Sequence, residues 1–307
     1  MHFSTKTPIA LALCALLLSP SLCAADTYTQ TTYPVVLVHG ILNFNASDSN
    51  TFWYGIPASL RSSGATVYVT QQSAVNSAVT RGEQLISQLK ALQATYGYTK
   101  FNLVGHSQGG LVARYVASVA PELVASVTTA GTPHQGSDVA TAVNSTNSVT
   151  KTAIAAVVTA LAKFVAWING DSNLPQNAMA MLGSLTSSGA ATFNASYPEG
   201  APTTSCGSGS AKVNGIYYYS MGGTSSFTNA LDYVDYALAL TSAFFNGGAN
   251  DGVVGRCSNH WGTVLKDNYA WNHLDLVNQS YGLRGLFSPD PKAFYRSQAN
   301  RLQGLGL

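Results

Sequence analysis

Short apolar runs alternate with amphipathic stretches along the first half of the chain. Residues 33–38 are apolar and rich in valine, which is typical of a buried parallel strand. Residues 81–96 place Leu85, Ile86, Leu89 and Leu92 at helical spacing. The predicted strands are 33–38, 66–70, 101–104, 123–130 and 216–221, and a last helix is predicted at 291–305. Strands that alternate with helices at short intervals predict the α/β class, with a mostly parallel central sheet and helices on both faces.

The most specific chemical pattern lies where the run 101–104 ends and a helical pattern begins. Residues 105–109 read Gly-His-Ser-Gln-Gly, and this Gly-x-Ser-x-Gly between strand and helix is typical of a nucleophile elbow. We expect that side chains at Gly105 and Gly109 would collide with the neighbouring strand and helix. The hydroxyl of Ser107 would be held clear of the backbone at a helix N-terminus, where developing negative charge is favoured. The alternative is an ordinary turn with a capping serine.

Residues 137–188 interrupt the alternation of strands and helices, which indicates an insertion. Within it, residues 151–168 are almost wholly apolar, although Lys151 and Lys163 interrupt a run whose length approaches a membrane span. A helix that is apolar on all sides must be buried or must cover an apolar surface. Its position after the elbow favours a mobile lid over an apolar site, and a core helix remains the alternative.

The first 24 residues have the pattern of a secretory signal peptide, with a basic start, an apolar run at 9–18 and cleavage after Ala24 or Ala25. The mature chain, 25–307, then retains only Cys206 and Cys257. Two cysteines in an exported chain suggest one disulfide, with two free thiols as the alternative. The mature chain contains neither internal repeats nor a Pro/Gly/Ser-rich linker, so we expect a single domain.

Charged residues are sparse, at 9% of the chain with a net charge of +2, against about 25% in an average soluble domain. This balance argues against nucleic-acid binding, which requires a basic stripe. A sparsely charged surface on an exported protein suits contact with apolar material.

A serine nucleophile needs an imidazole base that is oriented by a carboxylate. In α/β hydrolases the chain order is nucleophile, acid, histidine, which leaves His260 and His273 as candidate bases. The acids that follow the middle of the sheet are Asp232, Asp235, Asp251, Asp267 and Asp275. Asp251 has the flanking residues typical of a strand's carboxyl end. Spacing alone does not decide whether His260 or His273 is the base. The amide of Ile41, after the strand 33–38, is a candidate oxyanion donor.

Five segments together resemble the secreted triacylglycerol lipases of the Pseudomonas/Burkholderia type, which are bacterial lipase family I and foldase-dependent. The matching segments are 38–41, 105–110, 131–137, 250–255 and 272–279. The resemblance implies an α/β-hydrolase fold with a helical lid insertion at about 137–188. It also implies a catalytic triad of Ser107, Asp251 and His273, with oxyanion amides from Ile41 and Gln108. His260 would then be a bystander.

The same resemblance implies one structural calcium ion and a Cys206–Cys257 disulfide. The implied calcium ligands are the carboxylates of Asp232 and Asp275 and the main-chain oxygens of Gln279 and Leu283. All-oxygen ligands suit calcium. Asp235 lies one turn from Asp232 and is the alternative for the first ligand; ordinary solvated carboxylates are the other alternative.

Together with these patterns, the resemblance implies a secreted, extracellular and monomeric triacylglycerol lipase that acts on long-chain esters at an oil–water interface through an acyl-enzyme. A lipase-specific foldase is implied as a partner during export. A shorter-chain esterase or polyester hydrolase would use the same residues, but the long apolar insertion argues against it. A non-catalytic binding protein on this fold should lack a member of the triad, and none is missing.

Overall fold

The computed structural model describes residues 26–41, 52–145 and 174–307. Within these ranges, seven strands form one sheet in the order β2-β1-β3-β4-β6-β5, and β7 pairs with β6. Every strand pair is parallel except β5–β6. The strands are β1 (Val35–Val38), β2 (Val67–Thr70), β3 (Phe101–His106), β4 (Val124–Ala130), β5 (Lys212–Val213), β6 (Ile216–Gly223) and β7 (Thr263–Tyr269). The predicted α/β class with a mostly parallel sheet is confirmed.

The helices connect and cover the strands. In the described part of the chain they are α1 (Ile56–Arg61), α2 (Ala78–Tyr96), α3 (Gln108–Val119), α4 (Asp138–Asn144), α5 (Ala178–Leu185), α6 (Ser187–Ser196), α7 (Tyr233–Ser242) and α8 (Pro291–Gly304). Helix α2 begins three residues before the predicted start because Ser77 caps it, accepting a hydrogen bond from the Thr80 N–H at 3.1 Å.

In the described residues, the apolar core forms two clusters, one on each face of the central strands. Along β1, Val36 and Val38 belong to the cluster that α2 and α3 cover. Val35 and Leu37 belong to the opposite cluster, which contains residues of α1 and α8. Successive side chains of a strand point to opposite faces, so an apolar run is what a strand with helices on both sides requires.

Some of the predicted segments lie outside the described residues. The predicted insertion, 137–188, is described at its two ends, where α4, α5 and the start of α6 lie. The proposed lid helix at 151–168 and the predicted signal peptide at 1–24 lie outside the described residues. Within the described ranges, none of the helices has the length and apolar character needed to cross a membrane.

Cys206 and Cys257 form a disulfide across 51 residues, as predicted. Closure of a loop of this length stabilises a folded chain by roughly 4 kcal/mol in the chain-entropy model. Hydrogen bonds hold the segment that follows Cys257 beside the turn after β4: the His134 N–H donates to the Ser258 carbonyl at 2.9 Å. The Ser258 hydroxyl donates to the Gly136 carbonyl at 2.6 Å.

Candidate active site

Ser107 occupies a strained turn between the end of β3 and the start of α3. Its φ of 55° lies in the left-handed region, which non-glycine residues rarely adopt. A Cβ on Gly105 would meet the backbone of Gly109 and Gly110, and a Cβ on Gly109 would meet the carbonyl groups of Val38 and His39. Both elbow glycines are therefore required, as predicted. The Ser107 side chain forms no capping hydrogen bond with α3, so the interpretation as an ordinary capping serine is wrong.

His273 and Asp251 form a pair beside this elbow. His273 Nδ1 lies 2.8 Å from Asp251 Oδ2, and the His273 N–H donates to the Asp251 carbonyl at 2.9 Å. Asp251 Oδ1 accepts from the backbone N–H groups of Val253 and Val254 at 2.9 and 2.7 Å. A carboxylate that only accepts requires the proton on His273 Nδ1, which leaves Nε2 as the free acceptor of the ring.

Asp251 does not lie at the carboxyl end of a strand, so that part of the sequence interpretation is wrong. It lies in a short loop that an isolated bridge between Asn250 and Gly255 closes. The physical reason is that Asp251 belongs to a tight turn, in which its Oδ1 accepts from the backbone N–H groups of Val253 and Val254. The flanking asparagine and glycine are therefore residues of a tight turn.

Ile41 and Gln108, the predicted oxyanion residues, follow the end of β1 and begin α3. A fully buried arginine of α2 connects the residues after β1 to the start of α3: Arg81 Nη2 donates to the carbonyls of His39 and Gly40 at 2.7 and 2.9 Å. Its Nη1 donates to Gln108 Oε1 at 2.5 Å. Burial lowers the pKa of Arg81 to about 9, which leaves the side chain protonated at neutral pH.

Sequence reasoning did not identify Arg81. The signal that was available is its position four residues before Leu85 and eight before Leu89, on the buried stripe of α2. A charge on an apolar stripe must find partners inside the protein, because the desolvation of an unpaired buried charge is very unfavourable.

The serine and the histidine open into one apolar cavity of about 330 Å³. Its wall includes Ile41 together with side chains from three helices: Val139 and Val143 of α4, Met181, Leu182 and Leu185 of α5, and Val234 and Leu238 of α7. A cavity with an almost wholly apolar wall and a few polar groups at one end suits a ligand with a hydrocarbon chain and one reactive polar group.

His260, the alternative base, lies elsewhere. Its Nε2 contacts Asp267 Oδ2 at 2.9 Å, and the same carboxylate accepts from Arg256 Nε at 2.7 Å. The structure therefore joins His273, and not His260, to Asp251 and to the cavity that contains Ser107.

The predicted calcium ligands lie beside the loop that carries His273. Asp232, Asp235 and Asp275 are buried, with 2%, 0% and 1% exposure. Burial, to which the charges of Asp235 and Asp232 add, raises the pKa of Asp275 to about 7 despite hydrogen bonds from the Asn272 N–H and the Thr228 hydroxyl. Within the described ranges, no lysine or arginine forms an ion pair with these carboxylates. Uncompensated buried negative charge of this kind fits a bound divalent cation.

Asp232 and Asp235 differ in the number of hydrogen bonds that their carboxylate oxygens already accept. Asp235 Oδ2 accepts from the backbone N–H groups of Thr228 and Asn229 at 2.5 and 2.6 Å, and its Oδ1 accepts from Asn272 at 2.5 Å. Asp232 Oδ1 accepts from the Val234 N–H at 3.0 Å, which caps α7. Asp232 is therefore the better candidate for a metal ligand.

Two further observations bear on the metal. In the part of the chain that the structure describes, no group of three or more His, Cys, Asp or Glu side chains is arranged to hold a metal ion. The predicted calcium site has only two carboxylate ligands and is completed by main-chain oxygens, so it would not form such a group. The segment from Asp275 to Leu283, which contains the predicted main-chain ligands, turns sharply. Asn278, Ser280 and Tyr281 in this segment have left-handed φ values of 58°, 55° and 58°.

Comparison with known proteins places the chain in a family. The model of the alpha/beta hydrolase fold matches residues 33–207. A triacylglycerol lipase of Vibrio cholerae is 46% identical, over 91% of this chain and 90% of that protein. A triacylglycerol lipase of Burkholderia plantarii is 41% identical, over 94% of this chain and 91% of that protein. The chain belongs to the bacterial triacylglycerol lipase family of the α/β-hydrolase fold.

Solved structures agree with this fold. The crystal structure of Staphylococcus hyicus lipase superposes with a TM-score of 0.62 over 89% of this chain and 96% of that chain, at 18% identity. Likeness at this identity concerns the fold alone. The family model ends before Asp251 and His273, whereas the alignments with the two lipases cover nine-tenths or more of the chain.

Proposed function

We propose that the protein is a secreted triacylglycerol lipase that hydrolyses esters of long-chain fatty acids through an acyl-enzyme. The observation that carries the proposal is the His273–Asp251 pair, whose histidine lines the same apolar cavity as the strained Ser107. Membership of the triacylglycerol lipase family supports the substrate class.

In the proposed reaction, Ser107 Oγ attacks the ester carbonyl while His273 Nε2 takes its proton. Asp251 keeps the imidazole in the tautomer with the proton on Nδ1 and stabilises the imidazolium that forms. The amides of Ile41 and Gln108 stabilise the tetrahedral oxyanion, and loss of one such donor typically costs about 3 kcal/mol. His273 then protonates the leaving glycerol oxygen, and water repeats the cycle on the acyl-enzyme.

The acyl chain would lie against the apolar side chains of α4, α5 and α7 that line the cavity. This lining favours long-chain substrates over the alternative, a shorter-chain esterase or polyester hydrolase. Initial rates against p-nitrophenyl esters of increasing chain length, all below their solubility limits, separate the two. We expect kcat/KM to rise with chain length; a maximum at acetate or butyrate would favour the alternative.

Ser107→Ala tests the nucleophile. Oxyanion stabilisation alone leaves a small residual rate, so we expect less than about a thousandth of wild-type turnover. The variant should keep the wild-type melting temperature, because Ser107 does not cap α3. Turnover above that level in a correctly folded variant would contradict the proposed mechanism.

We also propose that one structural Ca²⁺ is held by Asp232 and Asp275 with the main-chain oxygens of Gln279 and Leu283. The ion would neutralise the buried carboxylates and tie down the loop that begins two residues after His273. Asp232→Ala and Asp275→Ala should each lower the melting temperature in calcium and abolish its dependence on chelator. If Asp235→Ala has this effect and Asp232→Ala does not, the first ligand is Asp235.

The remaining proposals concern export and the lid. We expect that the protein is exported as a monomer after removal of residues 1–24. We also expect that its folding depends on a foldase, so that expression in a foreign cytoplasm without this helper gives mostly inactive protein.

A helix at 151–168 that covers the site in water would open at an oil surface, since that surface accepts its apolar side chains. Activity should then rise faster than substrate concentration once droplets form; simple saturation through the solubility limit would argue against a lid.

A further inference from the structure

We infer that His106, the residue before the proposed nucleophile, is a positioning residue that holds the backbone of the proposed base His273. This inference rests on the proposed function. His106 is the last residue of β3, is only 2% exposed and has no role in the proposed proton transfers. Its Nε2 lies 2.9 Å from the main-chain oxygen of His273, and the two ring centroids are 4.7 Å apart.

The partners of His106 determine its tautomer. Burial, together with the nearby His273 ring, holds the pKa of His106 well below its ordinary value, so the ring is neutral. A carbonyl oxygen only accepts hydrogen bonds, so the proton must lie on Nε2. Nδ1 is buried without a hydrogen-bond partner in the described part of the chain, as suits the ring nitrogen that carries no proton.

Three hydrogen bonds within the described residues hold His273, and they come from two sides. Asp251 supplies two of them, since its carbonyl accepts from the His273 N–H and its carboxylate accepts from Nδ1. The third is the bond from His106 to the His273 carbonyl. Because His106 directly precedes Ser107 in the chain, this bond couples the backbone of the base to the nucleophile through a single residue.

The position also requires an uncharged donor. His273 becomes an imidazolium in each proposed proton transfer, and a second charge at 4.7 Å would oppose this change. The ring of His106 packs edge to face against Phe52 and Trp53, with centroid distances of 5.7 and 6.3 Å. These contacts restrict the ring to the orientation in which Nε2 meets the His273 carbonyl.

A pair of amide substitutions tests the donor with matched chemistry. In His106→Gln the side-chain nitrogen reaches the place of Nε2, whereas in His106→Asn it reaches only the place of Nδ1. We expect His106→Gln to keep kcat within about threefold of wild type and His106→Asn to lose about 30-fold or more, because ångström-scale misplacement of catalytic groups costs up to about 100-fold. KM for a soluble ester should change little in either variant.

Two readouts separate positioning from a general loss of structure. A neutral phosphonate ester that reacts with Ser107 should titrate nearly all molecules of both variants, but should react more slowly with His106→Asn by the same factor as kcat. The low-field NMR signal of the His273 Nδ1 proton should persist in His106→Gln and broaden in His106→Asn. If His106→Asn does not fold, His106→Phe keeps an aromatic ring without the donor and takes its place.

The inference is overturned if His106→Asn, or His106→Phe in its place, turns over as fast as wild type. It is also overturned if His106→Gln is impaired as severely as that variant, since loss of the hydrogen bond would then not be the cause. Failure of the proposed function has a different signature, namely an active Ser107→Ala variant, and that result does not depend on any substitution at His106.

Discussion

Asp251→Asn replaces one carboxylate oxygen with an amide nitrogen at nearly constant volume. The backbone N–H groups of Val253 and Val254 donate to Oδ1, so the asparagine must place its remaining oxygen there. Its NH₂ group then points at His273 Nδ1, which lies 2.8 Å from the other position. Nδ1 must accept this hydrogen bond, and the imidazole proton moves to Nε2.

That tautomer removes the proposed base, because Nε2 already carries a proton when Ser107 needs to release one. The corresponding change in a serine protease lowers kcat about 10⁴-fold, and we expect a similar loss here, which corresponds to about 5.4 kcal/mol of activation free energy. The free energy of unfolding should change by less than about 1 kcal/mol, since the loop keeps its hydrogen bonds and no cavity forms.

The assay is kcat for a soluble p-nitrophenyl ester, with the melting temperature measured on the same samples. Asp267→Asn is the matched control, because it makes the same substitution in the His260–Asp267 pair. We expect this control to keep most of its activity. A decrease of less than about tenfold in Asp251→Asn, or equal losses in the two variants, would refute the tautomer argument.

His273→Ala should abolish turnover whereas His260→Ala should leave most of it; the reverse pattern in kcat would show that His260 is the base. Chelator should lower the melting temperature and added Ca²⁺ should restore it, so equal stability after verified metal removal would exclude the ion. Intact mass of the secreted protein should be two hydrogens below the reduced chain; thiol labelling of native Cys206 or Cys257 would contradict the disulfide. Burial, with a nearby arginine, holds the pKa of His134 well below 6.5, so only the unfolded chain binds this proton. At saturating calcium, stability should be full above about pH 6.5 and fall on acidification; a melting temperature constant from pH 8 to 5 would contradict this.

Periodicity was sufficient to predict β1, β2, β3, β4 and β6 and the helices α2 and α8, since a sheet covered on both faces requires apolar runs. It did not predict β5, which has two residues, or β7, whose side chains alternate between exposed and partly buried. The Gly-x-Ser-x-Gly motif was sufficient to predict the strained turn at Ser107, because this turn is formed by residues that are adjacent in sequence. Spacing alone could not choose between His260 and His273, because each has a carboxylate partner and only the folded chain brings one pair to the serine. The roles that we infer for Arg81 and His106 depend on contacts with residues distant in sequence, which no local pattern predicts.

The buried guanidinium of Arg81 has a consequence for how the oxyanion would meet the protein. No carboxylate forms an ion pair with Arg81 among the described residues, so the surrounding carbonyl and amide dipoles stabilise its positive charge. The resting enzyme thus holds an unneutralised positive charge beside the end of β1 and the start of α3, which carry the two proposed oxyanion amides. Formation of the tetrahedral intermediate would bring a negative charge towards it. The dipoles are oriented when the chain folds, so little reorientation would be required at each turnover.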